Sequence, residues 1–274
     1  MAVLFHQKNH TYESVDLFEK INWTGVTTLV GKYKNPFMAK EVAIKSSQKK
    51  TSKWYGISPA EILSIWERET LRSTDLGSWY HDKEEAGILS KDSIHIYGAD
   101  YRIQKSIYNE AGVKVAPEQK LIPGTIYPEH FVYLKGAGVC GQSDKVEVTY
   151  DNILHIKDFK TNKEIEMNSF VNWEGLSKRM LPPLYHLEDC NYIHYNLQLS
   201  IYAYIICKHN PQLKVGDLII EHIIFEEASR DKYDYPITML DKNGEPIVKD
   251  VVPYKMPYLK TEVELILNHH KTAA

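Results

Sequence analysis

The sequence is poor in cysteine, with Cys140, Cys190 and Cys207 as its three thiols in 274 residues. An odd number of widely spaced cysteines supplies neither a disulfide framework nor the ligand set of a zinc or iron-sulfur site, so we expect buried thiols. The chain also lacks an apolar run long enough to cross a membrane and a signal-peptide pattern near its start. These absences predict a soluble, cytoplasmic protein with no membrane partner.

No Walker-type phosphate loop is present, so we expect neither a nucleotide cofactor nor a helicase motor in this chain. The formal net charge of -3 argues against a uniformly basic surface, and phosphate binding would therefore need a local patch. Residues 32–55 offer such a patch, because seven lysines stand there against one acid. The members that could contact nucleic acid are Lys45, Lys49, Lys50, Lys53, Trp54 and Tyr55. A cationic strip with aromatic rings suits a single strand, although a solvated helix face followed by a mobile loop is an equally good interpretation.

The length and a hydrophobic content of 43% predict one full core with an embellishment. A cap at Ser58 with Pro59 behind it starts a helix, and the apolar stretch 191–209 contains no glycine or proline. Residues 1–22 are predicted to form a strand or an arm. The other predicted elements are a short helix within 24–33, helices over 59–72 and from 77 through 85, a strand over 129–139, a loop with a short helix at 168–184, a helix over 191–209, a strand over 215–226, a turn at 241–244 and a terminal helix over 258–270.

A hairpin stands at the centre of the interpretation. The runs 146–148 and 153–159 alternate apolar and polar residues, and Asp151 and Asn152 between them supply turn chemistry. Asp144 stands at the first strand of the hairpin. Asp158 and Lys160 lie two apart on the second strand and therefore share a face.

Two carboxylates and a lysine at one point suit Mg²⁺ or Mn²⁺ and a phosphate substrate. The ion lowers the pKa of a bound water, and the lysine can orient that water or stabilise developing charge. Phosphodiester hydrolysis uses all three groups. An isolated acid-x-lysine triplet often marks an exposed strand by chance, but the apolar lead-in at 153–156 and the upstream Asp144 favour a site.

The residues resemble the RecB-type PD-(D/E)XK nucleases, including the small phage or mitochondrial genome-maintenance exonucleases. Four motifs in that family's order carry the resemblance across residues 77–202, and together they are far more specific than any single one. They are Gly77-Ser78-Trp79-Tyr80-His81 with Glu85, Gly141-Gln142-Ser143-Asp144, Asp158-Phe159-Lys160-Thr161, and Gln198-Leu199-Ser200-Ile201-Tyr202.

The resemblance implies roles for these residues. His81, Asp144, Asp158 and the backbone carbonyl of Phe159 would bind one or two Mg²⁺ or Mn²⁺ ions, and Lys160 would be the catalytic lysine. Gln198, Tyr202, Thr161 and Glu85 would contact the DNA strand or support the site, with Glu85 as a helix-face partner of His81.

The implied fold is α/β, with a restriction-endonuclease-like core whose central mixed sheet is flanked by helices. Residues 1–76 would form an N-terminal arm and a helical DNA-guiding region, and residues 77–274 the nuclease core. Relatives with an iron-sulfur cluster need four cysteines, which this chain lacks. The expected partners are DNA that is single-stranded or has free ends, and recombination or replication proteins. The alternatives to an exonuclease are an endonuclease on the same fold and a nucleic-acid-binding protein with a vestigial site.

Overall fold

The computed structural model of the chain describes residues 3–6, 11–14, 21–116 and 119–273. They form an α/β protein in which helices flank a large mixed β-sheet. The five α-helices are α1 (Val26–Gly31), α2 (Ala39–Gln48), α3 (Pro59–Leu89), α4 (Asn191–His209) and α5 (Lys260–Ala273). The strands are β1 (Val3–His6), β2 (Thr11–Ser14), β3 (Thr24–Gly25), β4 (Ser93–Ile96), β5 (Ala99–Ile103), β6 (Ile107–Tyr108), β7 (Lys114–Val115), β8 (Thr125–Leu134), β9 (Val139–Val148), β10 (Ile153–Lys160), β11 (Lys214–Phe225), β12 (Glu227–Arg230), β13 (Pro236–Thr238) and β14 (Val248–Met256).

The main sheet has the strand order β14-β11-β10-β9-β8-β5-β4, and β3 pairs with one end of β9. Its β10–β11 and β8–β5 neighbours are parallel, whereas β8, β9 and β10 form an antiparallel meander. A smaller sheet of order β2-β1-β7-β6 and the β12–β13 pair complete the strands. This arrangement places β9 and β10 at the middle of the main sheet, where helices can cover the face that carries a site.

The predicted hairpin is confirmed as β9 and β10, which pair antiparallel from Leu154 with Val148 to Lys157 with Lys145. The predicted helix over 191–209 is confirmed as α4, and the predicted strand over 215–226 as β11. Helix α4 supplies the crossover that the parallel β10–β11 pair requires. Its apolar side chains are buried against the sheet as part of the main hydrophobic core.

The two helices predicted at 59–72 and from residue 77 are one continuous helix, α3, of 31 residues. The Ser58 hydroxyl caps its start by accepting a hydrogen bond from the Glu61 backbone N–H at 3.2 Å. Gly77 does not interrupt the helix, since an interior glycine costs about 1 kcal/mol and buried side chains on both sides of it offset that cost. The predicted boundary between residues 76 and 77 falls inside α3.

Other predicted elements differ in their bounds. Residues 161–190, all of which the structure describes, contain no helix, so the short helix predicted within 168–184 is wrong. Isolated β-bridges stabilise this segment instead. The helix predicted within 24–33 is shortened by β3, the strand predicted at 129–139 ends at Leu134, and α5 starts and ends slightly later than predicted. Within residues 1–22, where a strand or arm is predicted, the structure describes β1, β2 and residues 21–22, and the other residues of that range lie outside the described residues.

Cys140 and Cys190 are buried free thiols, as predicted, and Cys207 is half-buried. No helix among the described residues has both the length and the apolar character needed to span a bilayer.

Candidate metal centre

Three acids meet at one level of the main sheet. The β8–β9 pairs Pro128–Lys145 and His130–Ser143 flank Glu129 and Asp144 and place these two acids at one level. The β9–β10 register, continued by one residue, places Asp158 level with Asp144 on its other side. Side chains opposite each other on neighbouring strands lie about 5 Å apart and point to the same face. All three acids are buried. The sheet therefore presents a row of three carboxylates across β8, β9 and β10.

His81 approaches this row from helix α3. Its Nδ1 lies 3.3 Å from Glu129 Oε1 and 3.5 Å from Asp144 Oδ1. One ligand atom from each of His81, Glu129 and Asp144 lies within 4.8 Å of the others, so these three residues could hold a metal ion. The predicted pair of His81 and Asp144 is thus brought together. Glu129, which was not predicted, joins it.

Asp158 is held by different partners. Its Oδ1 accepts a hydrogen bond of 3.0 Å from Gln198 Nε2, and its Oδ2 forms an ion pair with Lys160. Gln198 Nε2 also lies 3.4 Å from the Tyr202 hydroxyl, one helical turn further along α4. The structure therefore brings together four residues predicted for the site, with α4 orienting the acid on β10.

Phe159 joins Asp144 to β10. Its backbone N–H donates a 2.6 Å hydrogen bond to Asp144 Oδ2, and its ring packs edge-on against Tyr80 and His81 of α3. The bond fixes the orientation of the Asp144 carboxylate, and the ring contacts fix the distance between α3 and β10. Metal binding by the Phe159 carbonyl stays a prediction.

The charges of the centre shift its pKa values. Burial would lower the pKa of His81, but the hydrogen bond to Glu129 and the charges of Asp144, Glu129 and Asp158 outweigh it and raise this pKa to about 9. Burial, together with the charge of Asp158, raises the pKa of Asp144. Burial opposes the charged form of Lys160, yet the charges of Asp158 and Asp144 raise its pKa. The positive charges of Lys160 and of protonated His81 therefore oppose the negative charges of the acids.

Glu129 is positioned by an unusual backbone. Its φ of 46° lies in the left-handed region, which non-glycine residues seldom adopt. The buried Lys114 amine donates a 2.7 Å hydrogen bond to the Glu129 carbonyl, and Gln142 Nε2 donates to its carboxylate. A strained residue at a charged site is a frequent sign of function. The signal in the sequence was a lone acid inside the otherwise largely apolar run 125–134.

Glu85 lies one turn after His81 on α3, as predicted, and lines the same cleft. Burial raises its pKa, against the charge of Lys114. Its Oε1 is buried and receives no hydrogen bond from the described residues, and the same holds for Gln142 Oε1. Two unsatisfied oxygens beside the acids suit a cation or its bound waters.

The centre opens into a cleft of about 980 Å³. Its lining is rich in side-chain hydroxyls from α1 and α3, and it also includes Asn162 and Lys163, which follow β10. Thr161 donates a hydrogen bond to the Ser73 carbonyl at 3.3 Å. A Cβ on Gly77 would lie 3.2 Å from the Thr161 hydroxyl, so glycine lets α3 approach the end of β10. The hydroxyls are Thr27, Thr28, Thr70, Ser73, Thr74 and Ser78.

The lysine-rich strip lies on α2 and the turn that follows it, and none of its six predicted members lines the cleft. Lys45, Lys49, Lys50 and Tyr55 are exposed. The ring of Trp54 is buried among Trp66, Tyr233 and Tyr235, so it does not offer a free face to a base. Lys53 caps this cluster, because its amine donates to the Tyr233 carbonyl at 3.0 Å and lies over two of its rings.

Sequence reasoning also missed Tyr195. The amine of Lys160 lies 5.0 Å from the centre of the Tyr195 ring, and the Tyr195 hydroxyl donates a 2.6 Å hydrogen bond to Asn162 Oδ1. The ring thus makes a cation–π contact with the ammonium group of Lys160.

No family model and no curated protein matches the chain. Among solved structures, the crystal structure of SSO0001 is similar at 11% sequence identity, covering 93% of this chain and 77% of that one, with a TM-score of 0.33. A similarity of this size assigns the chain to no family.

Proposed function

We propose that the protein is a metal-dependent deoxyribonuclease of the PD-(D/E)XK type that hydrolyses phosphodiester bonds with Mg²⁺ or Mn²⁺. One observation carries the proposal: Asp144, Asp158 and Lys160 converge with His81 on one side of a cleft, as the four sequence motifs imply. Helices α3 and α4, which carry the first and the last of the four motifs, both pack against β8 and β10.

The donor set fits a hard divalent ion. His81, Asp144 and Glu129 would hold it, with the buried Asp158 beside them. When bound, the ion would lower the pKa of a water and neutralise charge on a phosphate. Lys160 is placed to stabilise charge on the phosphate oxygens, since Asp158 and Tyr195 hold its amine in the cleft. Gln198 orients Asp158, and Phe159 orients Asp144.

An exonuclease acting on single-stranded or end-exposed DNA is the preferred activity. The experiment is digestion of end-labelled single-stranded, duplex and circular DNA with Mg²⁺ or Mn²⁺. We expect loss of labelled linear strands with the wild-type protein, and no digestion with Asp158→Ala or Lys160→Ala. An Asp92→Ala protein, altered at an exposed acid, is the matched control. Full activity of Lys160→Ala would show that the assigned chemistry is wrong.

Two other outcomes distinguish the alternatives. Cleavage of a closed single-stranded circle would identify an endonuclease on the same fold. Binding of DNA without cleavage under every metal condition would identify a binding protein with a vestigial site.

The strip formed by Lys45, Lys49 and Lys50 is proposed to guide DNA from outside the cleft. Neutralising these lysines should weaken DNA binding and make it less dependent on salt, because fewer counterions are released. Unchanged affinity and salt slope would remove the strip from the DNA path.

A further inference from the structure

A short hairpin projects from the connection between β10 and α4, closed by a bridge between Val171 and Ser177. Its turn carries Trp173, exposed at 91%, and its base carries Phe170, exposed at 75%; these are the two most exposed large apolar side chains of the described residues. The turn is hydrogen-bonded: Asn172 Oδ1 accepts from the backbone N–H groups of residues 174 and 176, at 3.0 and 2.9 Å. Trp173 is thus displayed by a defined turn, and an exposed aromatic group of this kind usually marks a contact surface.

The base of this hairpin is connected to the metal centre. Lys178, at the end of the hairpin, forms an ion pair of 3.1 Å with Asp189 Oδ2. Asp189 Oδ1 lies 2.7 Å from His194 Nε2 in the first turn of α4. The next residue is Tyr195, whose ring lies beneath the amine of Lys160. Three contacts, with the peptide bond between His194 and Tyr195 joining the second to the third, therefore lead from the hairpin to Lys160.

A second lysine lies along this path. Asn35 donates hydrogen bonds to Asp189 from its backbone N–H at 3.1 Å and from its Nδ2 at 2.9 Å. These bonds bring the preceding residue, Lys34, close to Asp189. Burial lowers the pKa of Lys34, Asp189 opposes this shift, and the charge of Lys160 adds to it. Lys34 is therefore within electrostatic reach of both Asp189 and Lys160. Together with Lys178, it provides cations between the hairpin and the cleft.

We propose that Trp173 and Phe170 stack on unpaired bases of a DNA strand whose phosphates pass Lys178 and Lys34 on the way to Lys160. The inference rests on the proposed nuclease function and names its substrate as single-stranded DNA or a frayed end. Cations along a backbone path, with aromatic faces for the bases, are the combination that binds single strands without sequence preference. The bases of an intact duplex are stacked on each other and offer no free face to Trp173.

The test measures binding of a labelled single-stranded oligonucleotide by fluorescence anisotropy in EDTA, where metal-dependent hydrolysis cannot occur. Trp173→Ala and Trp173→Leu should each weaken binding by roughly 10-fold, because each lost base stack is of that size. Trp173→Phe, which keeps an aromatic face, should bind within about threefold of the wild type. The affinity for blunt duplex should not change in any variant. Leu240→Ala, at a remote exposed apolar residue, is the matched control.

Two results would overturn the proposal. Wild-type affinity of Trp173→Ala for the single strand would remove the hairpin from the DNA path and leave its apolar surface to a protein partner. Wild-type affinity of Trp173→Leu would show that apolar area, not stacking, is what matters there. Digestion by the wild-type protein is measured separately, so a protein that binds through Trp173 but cleaves nothing refutes the nuclease function and leaves this proposal standing.

Discussion

Metal binding at this centre should release protons. The pKa of His81 is raised to about 9 by the acids around it, so at pH 7 only about 1% of the side chain is neutral. A metal ion needs the neutral ring. Removing that proton at pH 7 costs about 2.7 kcal/mol, since each pKa unit corresponds to 1.36 kcal/mol. The penalty falls as the pH rises and disappears near pH 9.

Because His81 must lose its proton to bind the ion, this residue alone should make the affinity for Mn²⁺ rise about tenfold per pH unit between pH 6 and pH 8. The raised pKa of Asp144 acts in the same direction. Titration calorimetry in two buffers of different ionisation enthalpy counts the released protons. We expect His81→Gln to release about one proton fewer than the wild type. Equal proton release by the two proteins, or none by the wild type at pH 7, would refute the assignment of His81 as a ligand.

Three further substitutions test the surroundings of the centre. Glu129→Gln should weaken Mn²⁺ binding about tenfold or more, as measured by calorimetry, because it removes a charged ligand atom. Gln198→Ala frees the Asp158 carboxylate and should lower metal affinity or nuclease rate about 10-fold to 100-fold. Gly141→Ala places a Cβ 2.8 Å from the Tyr202 ring and 3.0 Å from Val26. It should lower the free energy of unfolding by about 1–3 kcal/mol in a denaturant titration.

Two of these substitutions, Gln198→Ala and Gly141→Ala, have a matched control. Tyr202→Phe keeps the ring and removes the hydroxyl beside Gln198, so it should change metal affinity less than Gln198→Ala does. A larger effect of Tyr202→Phe would reverse the assigned roles. Gly136→Ala introduces a Cβ with no neighbour within 4 Å. If it destabilises the protein as much as Gly141→Ala, close packing at Gly141 is not the cause.

The hairpin could be predicted because apolar and polar residues alternate along its strands. Helix α4 could be predicted because it is a long apolar stretch without glycine or proline. Both patterns are local in the sequence. Glu129 could not be predicted in the same way. Strand β8 is buried on both faces over most of its length, so its sequence does not alternate and does not show which side chains face a site. The row of acids depends on register between three strands, which is a property of the assembled sheet.

The continuity of α3 was also hidden from local reasoning. Residues 73–78 combine serine, threonine and glycine, which favour a helix end when considered alone. Packing before and after this segment keeps the helix continuous through it. Ile62 and Ile65 pack near Trp54, Tyr80 packs on Phe159, and Ile88 packs on the β5 side. Tertiary packing therefore outweighs local propensity here.

Because α3 is one continuous helix, the residues of the candidate metal centre come from two separate parts of the fold, α3 and the main sheet. The three acids belong to the sheet, whereas His81 belongs to a helix about 46 Å long. The first turns of α3 are anchored far from the acids, in the aromatic cluster around Trp54 and Trp66. Tyr80 and Ile88, on either side of His81, are packed against the sheet as well. The distance of His81 from the acids is therefore set by packing along the whole helix, from the aromatic cluster at its start to Ile88 near its end.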